Sequence, residues 1–247
     1  EVDLRSVNVS TERFKWSTRF NIAVPRSKLV RFDGLESSTF ADRYVIGEPL
    51  TIVKLYHSLG VDPETGMYRF EDYNGDGEIS STDDREWVED LAPRFYGGLG
   101  NTLTWGNLTL DVFLQFKKQR AYNTVRFNAT PGYSGNASVE LYDRWQEPGD
   151  ITSFQRASAG LVIGGNSADT QQRRSSAAVS DASFIRVRNI SLNYKVPNLD
   201  NGLDINVYLQ GQNLFTLTDY KGPDPEQTAN TRLPQLRQLT LGLQVGF

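Results

Sequence analysis

One short acidic stretch of the chain has the residue types and the spacing of a calcium-binding loop. It reads Asp72-Tyr-Asn-Gly-Asp-Gly-Glu-Ile-Ser-Ser-Thr-Asp83. Oxygen-bearing side chains at alternate positions can curl around a hard cation, and a glycine at the sixth position permits the sharp turn between them. The pattern predicts side-chain ligands at four positions and a backbone carbonyl ligand at a fifth, namely Asp72, Asn74, Asp76 and Asp83, with Glu78 through its carbonyl.

Two features of this acidic stretch depart from the usual calcium-binding pattern. Asp83 stands at the twelfth position, where a bidentate Glu is common, and the shorter side chain weakens coordination. No pair of helical segments is evident on either side of the stretch. An acidic surface turn without an ion is therefore the alternative interpretation, and the sequence leaves both open. For the ion, we expect Ca²⁺ in a structural role, because Mg²⁺ demands tighter octahedral geometry and keeps its waters.

Catalytic constellations are weak in this sequence. His57 is the single histidine and the chain has no cysteine, which excludes thiol catalysis, disulfides and zinc–cysteine sites. Four carboxylates in a polar segment could be paired for glycoside hydrolysis, but solvated surface charge explains them better: Glu140, Asp143, Glu147 and Asp150. We therefore predict that the chain is not an enzyme.

Three aromatic residues of the same polar segment have two interpretations. Tyr133, Tyr142 and Trp145 could stack on sugar rings at the mouth of a binding site. A place in an aromatic girdle at a membrane interface, or in a contact with a partner, is equally consistent with their side chains. The sequence does not decide between these roles.

The overall composition excludes some classes of protein. The chain has 247 residues, a net charge of −4 and a mean hydropathy of −0.47. No run approaches the roughly 18 apolar residues that a membrane-spanning helix needs. The polar average does not exclude a membrane β-barrel, because the strands of a barrel alternate between apolar and polar residues. No basic block indicates binding to nucleic acid.

The last eleven residues, 237–247, show the strict alternation of a strand with one apolar and one polar face. Apolar residues occupy every second position: Leu239, Leu241, Leu243, Val245 and Phe247. Polar residues and glycines occupy the positions between them. A barrel strand with lipid on one side and the lumen on the other has this pattern. We therefore expect Leu239, Leu241, Leu243 and Val245 to face lipid.

Six further stretches have strand character, near residues 2–9, 13–24, 95–105, 107–117, 183–196 and 203–210. In the fourth, the side chains predicted to face lipid are Leu108, Leu110, Val112 and Leu114, and Phe113 is the one exception to the alternation. The fifth changes phase between Val187 and Ile190, which predicts a β-bulge near Arg188 and Asn189.

The links between these seven strands alternate in length. Short links lie near residues 10–12, 105–107 and 197–202, and long ones near 25–94, 119–182 and 217–236. Outer-membrane barrels have short periplasmic turns and long extracellular loops, so a periplasmic carboxy-terminus makes every long link extracellular. Single-chain bacterial barrels have an even number of strands. We therefore predict an all-β fold, an antiparallel transmembrane β-barrel segment of about seven strands that belongs to a larger barrel.

The alternative fold is a soluble or surface-tethered β-sandwich that calcium stabilises and that serves adhesion or binding. The acidic stretch and the polar average favour this interpretation. The sorted link lengths and the terminal strand oppose it, because a sandwich has no reason to place all its long connections at one end. In a sandwich the apolar side chains would pack in a dry core between two sheets.

Six motifs in series carry a resemblance to a known family: Gly47-Glu-Pro49, Gly60-Val-Asp-Pro-Glu-Thr-Gly66, the acidic stretch, Ser183-Phe-Ile-Arg-Val-Arg-Asn-Ile-Ser-Leu-Asn-Tyr194, Gly211-Gln-Asn-Leu-Phe215 and Gly222-Pro-Asp-Pro-Glu226. With the terminal aromatic residue, they resemble the carboxy-terminal part of SusC-like TonB-dependent transporters of the Gram-negative outer membrane. The resemblance covers nearly all of residues 1–247.

The resemblance implies a barrel of about 22 strands, closed by an amino-terminal plug. It further implies TonB-dependent import of oligosaccharides or peptides, with a SusD-like lipoprotein that caps the extracellular mouth. The expected partners of this chain are that lipoprotein, the rest of the barrel and plug, the lipid bilayer, and TonB through the amino-terminal part. No residue of this chain matches the plug or the TonB-contacting segment, so energy coupling is implied by the family alone.

Overall fold

The computed structural model describes residues 1–128, 131–132, 136–158, 165–197, 203–228 and 232–247, with no side-chain description at 165 and 166. Thirteen strands lie in these ranges. Their bounds are β1 Val2–Ser10, β2 Phe14–Ala23, β3 Ile52–Leu55, β4 Ser58–Val61, β5 Tyr68–Phe70, β6 Trp87–Asp90, β7 Phe95–Trp105, β8 Leu108–Lys118, β9 Arg120–Tyr122, β10 Val179–Asp181, β11 Phe184–Lys195, β12 Asp204–Leu217 and β13 Gln238–Gly246.

The seven long strands form one antiparallel sheet in the order β1-β2-β7-β8-β11-β12-β13. Each strand therefore pairs with the next long strand along the chain, as in an up-and-down barrel. The predicted seven antiparallel strands are confirmed. Within the described residues, β1 and β13 each have a neighbour on one side alone, so the sheet does not close on itself.

One face of the sheet is apolar across its whole width, because the register aligns the apolar positions of every strand. A single row of directly paired residues crosses all seven strands: Val9, Trp16, Leu103, Leu110, Leu192, Leu209 and Leu241. In the described part of the chain, no second sheet covers this face. Leu239 and Leu241 are 75% and 76% exposed. The β-sandwich alternative requires a dry core here, so it is wrong.

Bulges keep the apolar residues on this face where the alternation breaks. The register between β11 and β8 shifts between Val187 and Asn189, which leaves Arg188 as the extra residue. Val187 then pairs with Leu114 and Ile190 pairs with Val112, so both sit on the apolar side. The predicted bulge is confirmed. A second shift at Asn8 does the same for Val9 in β1 and explains the poor sequence pattern there.

Phe113, the exception in β8, projects on the polar face and lies over a glycine-rich part of β7. A Cβ on Gly98 would sit 2.6 Å from Cε2 of the Phe113 ring. Contacts that close do not occur, so any larger residue at position 98 would displace the ring. The glycines that loosen the sequence pattern of β7 therefore make room for an aromatic side chain from the next strand.

The long links contain short elements that carry no sustained sequence signal. Three two-stranded sheets pair β3 with β6, β4 with β5, and β9 with β10. The helix α1 spans Gly165–Gln172, and 3₁₀ turns span Leu35–Ser37, Thr124–Arg126, Val139–Asp143 and Ser176–Ala178. The helix predicted near Glu140 is thus a 3₁₀ turn. Among the described residues, no helix has the length and apolar character to cross a bilayer.

Candidate functional site

The three long links, residues 24–94, 119–183 and 218–237, all leave the same end of the antiparallel sheet and pack into one layer, called here the loop layer. The first two links share backbone hydrogen bonds. The N–H of Tyr56 donates to the carbonyl of Arg174 at 3.0 Å, and the N–H of Ser176 donates to the carbonyl of Tyr56 at 2.8 Å. A buried cluster of Tyr56, Tyr68, Phe70 and Ala168 joins the same two links.

The third link attaches to the second through Tyr220. Its hydroxyl donates to the carbonyl of Tyr122 at 2.5 Å, and its ring packs with Ala121 and Ala182. The amide of Gln119 adds a bond to the carbonyl of Pro225 at 2.6 Å. These contacts make the three links parts of one body rather than three independent loops.

An ion network fixes the third link to the sheet. Arg186 of β11 is 2% exposed, and its guanidinium donates at 2.8 Å to Asp224 and at 2.8 Å to Glu226. Its third nitrogen donates to Thr216 of β12 at 2.9 Å. Burial raises the pKa of Asp224, but the bonds from Arg186 and from the Glu226 N–H outweigh it, and the net pKa is lowered. The carboxylate is therefore held in its charged form.

Arg188, the bulge residue, extends the same network towards the polar face. It donates to Glu226 at 2.5 and 2.7 Å and to Gln115 of β8 at 2.5 Å. It also bonds the side chains of Asn213 and Gln235. The bulge therefore has a structural consequence, because it aims this arginine at the link between β12 and β13.

The second link is held at its base by an ion pair between Lys118 and Asp181. The ammonium lies 2.5 Å from the carboxylate, and Ser183 donates its N–H to the same side chain at 2.7 Å. Burial raises the pKa of Asp181, but these bonds outweigh it and lower the pKa to about 2. Both partners are about half exposed, so solvent screens much of this interaction.

In the acidic stretch, the carboxylates accept backbone N–H groups of the same turn. Asp72 accepts from Gly75 at 2.7 Å and from Gly77 at 2.8 Å. Asp76 accepts from the N–H of Glu78 at 2.8 Å and from the amide of Asn74, and these bonds lower its pKa. The stretch is thus a turn built by its own side chains.

The residue after the stretch, Asp84, closes the turn, and the sequence gave no separate signal for it. Asp84 is completely buried and accepts the N–H groups of Tyr73 at 2.8 Å and Ser80 at 2.7 Å. Asp83 accepts the Ser80 hydroxyl at 2.9 Å. Across the described residues, no three His, Asp or Glu side chains are grouped to hold a metal ion. Calcium binding by Asp72, Asn74, Asp76, Glu78 and Asp83 stays a prediction.

The remaining candidates take structural places in the loop layer. His57 contacts Glu71 at 2.7 Å and stacks on Trp87. Trp145 is buried: its ring covers Gly66 and its Nε1 donates to the carbonyl of Pro63 at 2.8 Å, so it cannot stack on a sugar. Tyr142 is 81% exposed, whereas Tyr133 lies outside the described residues.

The four carboxylates considered for hydrolysis do not gather into a metal-binding group either, within the described part of the chain. Asp150 accepts the N–H groups of Gln146 and Glu147 and serves a turn. Its pKa is lowered by these two backbone bonds, so it is a charged acceptor at neutral pH rather than a proton donor. Glu140 and Asp143 lie exposed on a 3₁₀ turn.

Comparison with known proteins gives the family context. A scan against protein-family models finds no match. The whole chain is 27% identical to part of the TonB-dependent receptor P3 of Formosa agariphila and covers 28% of that protein. It is 24% identical to part of the TonB-dependent receptor SusC of Bacteroides thetaiotaomicron and covers 26% of it.

Solved structures show the same fold. The RagAB peptide transporter contains a chain that matches 99% of this one, with a TM-score of 0.79 and 22% identity, over 28% of its own length. This chain therefore spans a little over a quarter of the proteins it matches. The relatives are named as receptors and transporters, which agrees with the expectation that the chain is not an enzyme. The chain is a relative of the SusC-like TonB-dependent transporters and corresponds to a part of such a protein.

Proposed function

We propose that this chain forms part of the barrel wall and of the extracellular collar of a SusC-like, TonB-dependent importer in the Gram-negative outer membrane. The observation that carries the proposal is the apolar row that crosses all seven strands and that the described part of the chain leaves uncovered. A sheet whose outer face meets lipid needs such a face, and its inner face is polar. The loop layer at one end is then the collar.

The proposed barrel has further parts that lie outside this chain. The edges β1 and β13 would pair with the remaining barrel strands, since an open edge is not stable inside a bilayer. The plug and the segment that contacts TonB belong to those parts. The cargo is an oligosaccharide or a peptide. Relatives whose names include SusC and the RagAB peptide transporter support nutrient import as the general role.

The proposed partner of the loop layer is a SusD-like lipoprotein. Support comes from apolar side chains exposed on the second link. Val139 and Tyr142 are 77% and 81% exposed and lie three residues apart on a 3₁₀ turn, where side chains at this spacing are eclipsed. Ile151 is 97% exposed nearby in sequence. Exposed apolar side chains of this kind mark protein-contact surfaces when they form a patch.

Uptake by cells tests the transport proposal. A strain that lacks the complete receptor should lose import of one class of oligosaccharide or peptide, and the restored gene should recover it. Dissipation of the inner-membrane proton gradient should stop import without stopping surface binding. A strain that takes up every tested oligosaccharide and peptide equally well with and without the receptor would refute the proposal.

Co-purification tests the partner proposal. Tyr142→Asp in the complete receptor should reduce the yield of the co-purified lipoprotein. The matched control is Glu140→Ala on the same 3₁₀ turn, which leaves the apolar pair intact and should not change the yield. If Tyr142→Asp retains the lipoprotein at the level of the wild type, this surface is not the docking site.

A further inference from the structure

Two arginines lie directly opposite each other on the polar face of the sheet. Arg5 of β1 pairs with Arg19 of β2, and their side chains are 72% and 60% exposed. Like charges at directly opposed positions of an antiparallel pair are destabilising. A sheet that retains such a pair therefore carries a local cost that folding alone does not require.

One carboxylate compensates this arginine pair in part. Asp3 lies 3.5 Å from Arg5 and 3.4 Å from Arg19, so two guanidinium groups share a single negative charge. Both contacts are at the long end of ion pairing. The next carboxylate on this face near Phe113, Asp111, accepts a hydrogen bond from Thr102 at 2.6 Å. One positive charge at this place is thus left for an anion from outside the sheet.

An aromatic platform adjoins the arginine pair. Phe113 is 42% exposed and its ring lies over the glycines of β7. The position that a Cβ on Gly100 would occupy is 3.8 Å from the Phe113 ring and 4.0 Å from Cβ of Arg19. The corresponding position on Gly98 is 3.2 Å from the amide oxygen of Asn21. A flat ring, a guanidinium and an amide therefore border one glycine strip.

We propose that this set is a lumenal subsite for an anionic sugar unit, a uronate or a sulfate ester, within an oligosaccharide cargo. The apolar face of the sugar ring stacks on Phe113. Its carboxylate or sulfate takes charge-assisted hydrogen bonds from Arg19 and Arg5, whose planar donors match these anions in a bidentate way. Asn21 bonds a ring hydroxyl. The inference rests on the proposed transport function, because it places this face in the lumen of an importer.

An oligosaccharide fits this geometry better than a peptide does. The platform is one exposed ring with planar polar groups at its rim, and it has no apolar pocket that would enclose a side chain. The glycines beneath the ring keep it flat against the wall, so a second flat, half-apolar ring can cover it. The cation pair then selects sugars by charge.

The test uses the complete receptor and measures equilibrium binding of three matched ligand pairs. These are an oligogalacturonate with its methyl ester, a sulfated oligosaccharide with its desulfated form, and an acidic peptide with its amidated form. Wild-type receptor should prefer at least one anionic sugar over its neutral partner by about tenfold or more, the size expected for a hydrogen bond to a charged group. Arg19→Gln should abolish that preference, and Phe113→Leu should weaken the charged and neutral sugars alike.

Two control variants lie on the same face but far from the subsite. Lys195→Gln removes an equally exposed positive charge at the other end of the sheet. Tyr208→Leu removes another ring that lies over a glycine, Gly242. Neither should change the sugar preference, because four or more strands separate these positions from Arg19.

The outcomes separate the subsite from the transport proposal. A wild-type receptor that prefers neither anionic sugar, or that prefers the acidic peptide, overturns the subsite while uptake in cells leaves import standing. An anionic preference that survives Arg19→Gln and Phe113→Leu also overturns it. A receptor strain with no uptake defect for any oligosaccharide or peptide refutes import itself.

Discussion

Replacing Arg186 by Met removes the centre of the ion network that ties the third link to the sheet. Arg186 and Asp224 have side chains that are 3% and 6% exposed. Removing one partner of a buried ion pair costs about 3–5 kcal/mol, because the other charge stays buried without compensation. Arg188 still contacts Glu226, so we expect the lower end, about 3 kcal/mol. That free energy corresponds to roughly a 150-fold change in the equilibrium for opening of the link.

Hydrogen exchange of the complete receptor in lipid measures this opening. The N–H groups of Glu226 and Gln227 donate to Asp224 at 2.8 and 3.4 Å, so they report on the network directly. Their exchange should accelerate by about two orders of magnitude in Arg186→Met. Amides in the paired centre of β7 and β8 should exchange as in the wild type, since the barrel wall does not depend on this link.

Two controls make the reasoning refutable. Lys195→Met removes an exposed ion pair of 3.2 Å and should change local opening by less than about 1 kcal/mol. Adding Asp224→Asn to Arg186→Met should recover part of the loss, because the uncompensated charge is then gone. If Arg186→Met leaves exchange of the link within about threefold of the wild type, which is under about 1 kcal/mol, the network does not hold the third link.

Three further outcomes follow from the same contacts. Gly97→Ala places a Cβ 2.1 Å from a β2 carbonyl and should cost about 1–3 kcal/mol in heat-induced unfolding, whereas Gly100→Ala has ordinary space and should change little. Millimolar Ca²⁺ should slow hydrogen exchange across 72–83, and Asp76→Asn or a chelator should remove that protection; equal exchange with and without Ca²⁺ contradicts a site. Burial raises the pKa of Asp181 but hydrogen bonds bring it to about 2, below its model value of 3.8, so its stabilisation is complete above pH 3.8 and is lost as pH falls towards 2; Asp181→Asn should abolish that acid-dependent step in exchange.

The sheet could be predicted from the sequence because a half-exposed strand repeats at a period of two. Seven alternating stretches gave the seven strands, and the phase change after Val187 located the bulge at Arg188. Alternating link lengths predicted that all long links leave one end. These features are local in sequence, so no knowledge of distant contacts was needed.

The loop layer could not be predicted in the same way. Its strands have three or four residues each, and they form because distant segments meet, as Tyr56 meets Ser176. The buried pair of Arg186 and Asp224 joins residues 38 positions apart, and each alone is an ordinary charged residue in the sequence. Asp84 is next to Asp83, yet burial and two backbone bonds distinguish it only in the fold. The polar subsite depends on register, which placed Arg5 opposite Arg19.

The central claim is that the apolar face meets lipid and the polar face meets the lumen, and single cysteines on β13 test it most directly. This chain contains no cysteine, so each introduced thiol has no competitor within it. In the complete receptor in lipid, Leu241→Cys should carry a fluorophore that lipid-borne quenchers reach and should resist a membrane-impermeant thiol reagent. Thr240→Cys, the next residue on the opposite face, should react with the impermeant reagent and escape the lipid quencher. Equal behaviour at the two positions, or the reverse pattern, would contradict the account.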